Sequence, residues 1–401
     1  MLPRVKIDFQ NGTLGSVTPS EDGVCGLLTH AAAIGTTFAL RTPYLLTKLA
    51  DLTALGFDAT LTGANGNVYK IVKEFYDEAP EGSKLWLYGV EDTVSYADLC
   101  DKTSPYAATL LDAAGGAIRI LMVHAEAPGT ASYTNGGAID DTAFAAISKL
   151  QQLADDYTER KYAPFLGIIE GLNYSGTPSN FANADLGQCA YNRVAVVIGD
   201  TKASSNYAAI GLVAGRLAAK PVQRSLARVK DGAIAADIMY LGSDRAELGS
   251  PDVIHGYGYI CPRNFVGKAG YYWSDDKLAT AASDDYALIP RRRTIDKAYR
   301  IAYRTLVEKL GDEIPVTDQG TIVASVAKAW ETDVIAAITN EMTANGELGN
   351  DPESDSDRGV RCTVDLNSNI AANSTVNLTL QVKPYGYAKY IDVKLGFLID
   401  K

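Results

Sequence analysis

The stretch Ile289-Pro-Arg-Arg-Arg-Thr-Ile-Asp-Lys-Ala-Tyr-Arg300 decides how this chain is organised. It opens a segment, Thr294 to Leu310, whose apolar residues fall at Ile295, Ala298, Tyr299, Ala302, Leu306, Val307 and Leu310. That is the i, i+3, i+4, i+7 spacing of an amphipathic helix. Its other face is basic: Arg291, Arg292, Arg293, Lys297, Arg300 and Arg304. Pro315 ends the segment, and Gln319 to Met342 predicts a second long helix with Ile322, Val326, Trp330, Val334, Ile338 and Met342 aligned, stopped by Gly346 and Gly349.

Downstream, Asp351 to Asp357 is an acidic loop, and three strands are predicted: Val360 to Leu366, Thr375 to Val382 and Tyr390 to Leu398. In the middle one Val376, Leu378, Leu380 and Val382 alternate with polar residues, the period of a half-buried strand. Asp318 to Asp357 carries Glu331, Asp333, Glu341, Glu347, Asp351, Glu353 and Asp355, opposed only by Lys328. A solvated face is the plain reading of such charge. The sharper reading is a pair of oppositely charged surfaces that orient a neighbour.

Upstream, the pattern is α/β. Gly23 to Leu28 is a short apolar run, Lys84 to Tyr88 alternates as a strand, Ile118 to Val123 reads as a strand, and Phe165 to Ile169 and Val194 to Ile198 are continuous apolar runs. Runs apolar throughout mark strands buried on both faces. Between them, Pro43 to Leu52, Asn67 to Tyr76, Asp141 to Tyr157 and Tyr207 to Ala219 read as helices. Such alternation favours a mostly parallel sheet with right-handed crossovers. At the amino end Val5, Ile7 and Phe9 alternate with polar residues, which predicts an extended strand ahead of the first compact segment. The fold class is therefore an α/β core domain (21–275) and an α+β C-terminal domain (276–386), flanked by extended arms at 1–20 and 387–401.

Composition narrows function. The 401 residues are 47% hydrophobic and 21% charged, enough for a large core without disulfides or metal. A net charge of −11 opposes general binding to nucleic acid or anionic membranes. No run approaches the ~20 apolar residues of a membrane-spanning helix, and the first residues hold no signal-peptide core. Cys25, Cys100, Cys189, Cys261 and Cys362 are scattered, which fits buried thiols made in a reducing compartment.

Chemistry-bearing motifs are absent. His30, His124 and His255 stand at no ligand spacing from one another or from a cysteine. There is neither a Gly-X-Ser-X-Gly elbow nor a Walker lysine. Gly211-Leu-Val-Ala-Gly215 lies inside a helix, where small residues allow close packing on the sheet rather than a phosphate cradle. Asp275-Asp276 and Asp284-Asp285 are paired carboxylates without a flanking ligand array, read as solvated loops and helix caps. Neither a cofactor nor a catalytic residue is expected. The competing reading, an α/β enzyme or small-ligand-binding protein with a C-terminal oligomerisation module, rests only on the alternation from Ile118 to Ala219.

The C-terminal third resembles a known family. Ile289 to Arg300, a second long helix, a polar loop, then Thr379-Leu-Gln-Val-Lys-Pro384 and Tyr390-Ile-Asp-Val-Lys-Leu395 resemble the closing region of contractile phage tail sheath proteins. Leu52-Thr-Ala-Leu-Gly56, Phe75-Tyr76 and Lys84-Leu-Trp86 are similar to the early sheath segment. The chain is also similar to short prophage and Bacteroides sheath-like proteins of the DUF2586 type. The resemblance implies a homo-oligomer of stacked rings around an inner tube protein, ending at baseplate and terminator proteins. Such a particle is assembled in the bacterial cytoplasm and works as a virion tail or contractile injection system. It implies arms that complete a neighbour's sheet by strand addition, with Val5, Ile7, Phe9, Arg291, Arg292, Arg293, Ile391, Val393 and Leu395 as subunit contacts. The second C-terminal helix corresponds to the one that faces the tube, which makes Lys328, Glu331, Asp333 and Glu341 the tube-contact candidates.

Overall fold

The computed structural model describes residues 21–134, 137–354 and 356–396. The expected strand over Val5, Ile7 and Phe9 therefore lies outside the described residues. The principal sheet runs β2-β3-β1-β4-β5-β7, built from β1 (Cys25–His30), β2 (Pro43–Leu46), β3 (Leu85–Val90), β4 (Ile120–His124), β5 (Leu166–Glu170) and β7 (Val194–Val197). All neighbours are parallel except β2, which runs antiparallel to β3 along one edge. Every residue of β1, β4, β5 and β7 is buried, as the uninterrupted apolar runs require of strands covered on both faces.

Six helices accompany this sheet: α1 (Leu49–Ala54), α2 (Gly63–Glu78), α3 (Tyr96–Cys100), α4 (Pro105–Ala113), α5 (Asp141–Lys161) and α6 (Ile210–Ala219). The expected helix over Pro43 to Leu52 is instead strand β2 followed by α1. Pairing with β3 outweighs the helical spacing of Leu45, Leu46 and Leu49. Gly211 and Gly215 do permit close packing, but their partner is a helix and not the sheet. A Cβ on either would collide with the backbone carbonyls of Ile71 and Phe75 on α2.

Between core and C-terminal unit, short pieces fold back on the core. They comprise α7 (Pro251–Gly256) and three antiparallel pairs: β6 (Ala190–Tyr191) with β12 (Ala279–Thr280), β8 (Tyr240–Leu241) with β9 (Asp244–Arg245), and β10 (Pro262–Arg263) with β11 (Tyr272–Trp273). The fully buried Trp273 and Tyr259 fasten this region to the main core.

The C-terminal unit is α8 (Ile289–Val307), α9 (Ala324–Ile338) and a hairpin of β13 (Val360–Val364) and β14 (Leu378–Val382). α8 begins five residues before the apolar spacing does, because Pro290 occupies the first turn, where its missing N–H is no loss. α9 continues into a π-helical turn, Thr339–Thr343. A second, smaller core lies here: Ala298, Ile301 and Ala302 from α8 meet Val334, Ile338 and Met342, closed by Leu348 and Cys362. The predicted strand from Tyr390 to Leu398 does not form over its described part, Tyr390 to Gly396. Residues 383–396 take no regular structure, and among the described residues no strand pairs with them.

Candidate functional site

Two features could serve a function: the carboxyl ends of the parallel strands, and the C-terminal hairpin with its tail. In α/β sheets ligands usually sit outside the carboxyl ends. Here that place is filled by side chains. His124, at the end of β4, approaches Glu170 at the end of β5 with Nδ1–Oε2 2.6 Å, and its Nε2 lies 3.6 Å from Glu126. Burial works against the imidazolium, but the two glutamates outweigh it and hold the His124 pKa up at about 9. His30, at the end of β1, donates from Nε2 to Val94 O and accepts at Nδ1 from Glu126 N, which fixes it as a neutral ring. Tyr207 and Asn67 both donate to Glu126. This is a closed network with a neutral and a charged histidine side by side.

A cleft of about 400 Å³ lies at the opposite ends of β4 and β5, lined by Arg119, Lys161, Tyr162, Arg300 and Tyr303 among others. Among the described residues no group of three histidine, cysteine or carboxylate side chains is placed to hold a metal. No helix among them is long and apolar enough to cross a membrane.

The C-terminal unit is held to the core by charge. Asp22, at the start of the described chain, receives Arg300 and, at 2.7 Å, Lys297; Lys297 also reaches Glu347 at 2.7 Å. Burial opposes the charge on Asp22, yet Lys297 and Arg300 keep its pKa below the usual range. Arg293 is buried and donates to the carbonyls of Asp22 and Lys220, and burial lowers its pKa to about 10. Arg292 pairs with Asp296 at 2.7 Å, and Asp296 also takes Arg193 from the core at 3.0 Å.

The sequence-predicted residues divide accordingly. Arg292 and Arg293 are buried inside the subunit, while Arg291 stays half-buried on the helix start. Of the basic residues of α8, Arg304 pairs with Glu341 in the π-helical turn after α9, and Lys309, just past α8, pairs with Asp333 of α9 at 2.8 Å. Glu331 accepts from Val364 N of the hairpin and pairs with the exposed Lys328 at 3.0 Å. Ile391, Val393 and Leu395 are 79%, 78% and 96% exposed.

Sequence reasoning missed what seats the tail. Asp275 and Asp276 are not solvated; both are buried, and Lys389 lies on Asp275 and 3.1 Å from Asp276. Two residues earlier, Tyr387 donates to Gln223 O at 2.7 Å. A usable signal was present: the acid pair is flanked by Trp273 and Leu278, an apolar setting unlike a solvated loop.

This mixed α/β fold is shared with chains of contractile injection systems and with a sheath tail protein. A chain of the anti-feeding prophage baseplate superposes with a TM-score of 0.64 at 14% identity, covering 100% of this chain and 99% of that one. A chain of the sheath complex of the extracellular contractile injection system PVC, in its contracted state, gives 0.61 at 15% identity over 99% and 97%. The sheath tail protein of Desulfitobacterium hafniense gives 0.51 at 12% over 90% and 93%. The chain belongs to the DUF2586 family: the family's N-terminal domain matches residues 2–277 and its C-terminal domain residues 285–401. No curated protein matches the sequence.

Proposed function

We propose that this protein is a structural subunit of a contractile sheath, in a phage tail, a tailocin or a related injection system, and not an enzyme. The observation that carries this is the contrast at the C-terminus. β13 and β14 form a sheet of only two strands, and beside it leaves a tail with alternating, exposed apolar residues. Two strands alone are marginal in water. An unpaired tail of that pattern is a template for strand addition. In the assembled sheath, residues 387–401 of one subunit add to the hairpin of the next, through Ile391, Val393 and Leu395. Residues 1–20 do the same at the other edge with Val5, Ile7 and Phe9. Residues 21–275 form the core domain and 276–386 the domain that receives the arms.

The partners in this reading are further copies of the chain, the inner tail tube protein, and the baseplate and terminator proteins at the ends. Assembly takes place in the bacterial cytoplasm. Lys328, on the exposed side of α9, stays available to the tube, with Asp333 and Glu341 half-engaged beside it. Arg291 is the member of the arginine triplet left for a neighbour.

Deleting 390–401, which leaves Tyr387 and Lys389 on the core, tests the reading. The truncated subunit is expected to keep the unfolding midpoint of the full chain and to form no sheath under negative-stain electron microscopy. Sheaths of normal length from the truncated chain would sink the arm mechanism.

A further inference from the structure

The tail does not leave the molecule where β14 ends. From Val382 the chain is first held by Lys383, whose N–H donates to Gly359 O while its carbonyl accepts from Gly349 N at 2.8 Å. It turns at Pro384, crosses to the core, places the Tyr387 hydroxyl on Gln223 O and seats the Lys389 ammonium on Asp275 and Asp276. Of the tail's large apolar side chains, those from Tyr390, 82% exposed, through Leu395 stand farthest into solvent.

The seat is unusual in its chemistry. Two adjacent carboxylates are buried together, and buried like charges repel strongly without a cation. The other cations nearby are turned elsewhere. Lys277 donates to His255 O at 3.0 Å, and the His255 Nδ1 stands 3.9 Å from Asp275. Lys389 alone among the described residues forms an ion pair with Asp276. It comes from a segment that otherwise has little to hold it. Burial, and the charge of Asp275, raise the Asp276 pKa to about 6 in spite of Lys389.

We propose that Lys389 on the Asp275–Asp276 pair, with Tyr387 on Gln223, is a releasable clasp that sets the point from which the C-terminal arm departs and holds residues 384–389 as slack. This rests on the arm reading above. At ~3.3 Å per extended residue, residues 390–401 reach ~40 Å from the clasp, and freeing 384–389 adds ~20 Å. A lattice whose subunits change spacing needs arms that lengthen without letting go. An exposed-rim ion pair on a buried acid seat gives first, before the hairpin's own ladder.

The test uses the unassembled full-length subunit, so it does not depend on arm exchange. Limited chymotrypsin digestion is followed by mass spectrometry of chains ending at Tyr387 and at Tyr390. The wild-type chain is expected to be cut after Tyr390 and, at least tenfold more slowly, after Tyr387. In Lys389→Met that difference collapses, and Lys389→Arg restores it. The variant with Asp275→Asn, Asp276→Asn and Lys389→Met removes the clasp without leaving bare buried carboxylates, and is expected to match Lys389→Met. Equal protection of Tyr387 in wild type and both clasp-less variants would overturn the clasp. Truncation of 390–401, which keeps both clasp residues, separately decides the arm reading.

Discussion

The six-stranded sheet and the C-terminal hairpin solve the edge problem in opposite ways. The large sheet closes itself. On one side β2 runs antiparallel and carries Pro43, which cannot donate to a further strand. On the other, β7 is met by a bridge from Val197 to Ile260. Its strands are apolar on both faces and buried. The hairpin has neither device: β14 alternates half-buried and exposed residues, and among the described residues no further strand flanks it. One sheet is finished within the chain, and on the arm proposal the other is completed by a neighbour.

That contrast can be broken or sharpened by substitution, and the expected effects on the isolated subunit fall in order. Phe75→Ala removes a fully buried ring that packs in the main core. It should lower unfolding free energy by about 3–5 kcal/mol in a urea titration. Asp296→Ala leaves Arg193 and Arg292 without their shared carboxylate and should destabilise by about 3 kcal/mol. Arg193 keeps Asp155 at 3.4 Å, so the loss stays below that of the core ring. A loss as large as that of Phe75→Ala would mean that the C-terminal unit is as tightly integrated as the core.

His124 gives a pH-dependent term. Its pKa in the fold lies above its ordinary value, so its contribution is full below about 6.5. It is lost as pH rises through about 9. Stability of the wild-type subunit should therefore fall between pH 7 and 9.5, and His124→Asn should flatten that slope in denaturant titrations at the two pH values. An unchanged slope would show that Glu170 and Glu126 do not hold a charged ring.

The smallest effect on the subunit is expected from Ile391→Ser, Val393→Ser and Leu395→Ser together. These side chains are exposed, so the unfolding midpoint should move within about 0.5 kcal/mol. Sheath formation should nonetheless be abolished in electron micrographs. A normal sheath from the triple variant would remove these residues from the arm contact.

The buried strands were legible because an apolar run has few alternatives once both of its faces are covered. α5, α8 and α9 were legible from their periodicity. What escaped depends on residues far apart in the chain. β2 reads as helix until β3 is beside it. The Tyr390 segment has the right alternation, but no described strand of the chain pairs with it. Asp22 with Lys297, and Asp276 with Lys389, are contacts between segments more than a hundred residues apart that no local spacing announces. The arginine triplet was visible as charge, but its burial was not, since pairing with Asp296 and backbone carbonyls is a property of the packed helix.

The grip of α8 on Asp22 has a mechanical side. Residue 21 is where the described chain begins, and the next residue is tied by Lys297, Arg300 and Arg293 to one helix. That same helix backs α9, on which the hairpin rests. A load on Asp22 would enter α8 through its ion pairs, and a load on the hairpin would reach the same helix through α9. The start of the described chain and the hairpin thus bear on one stiff element from two flanks.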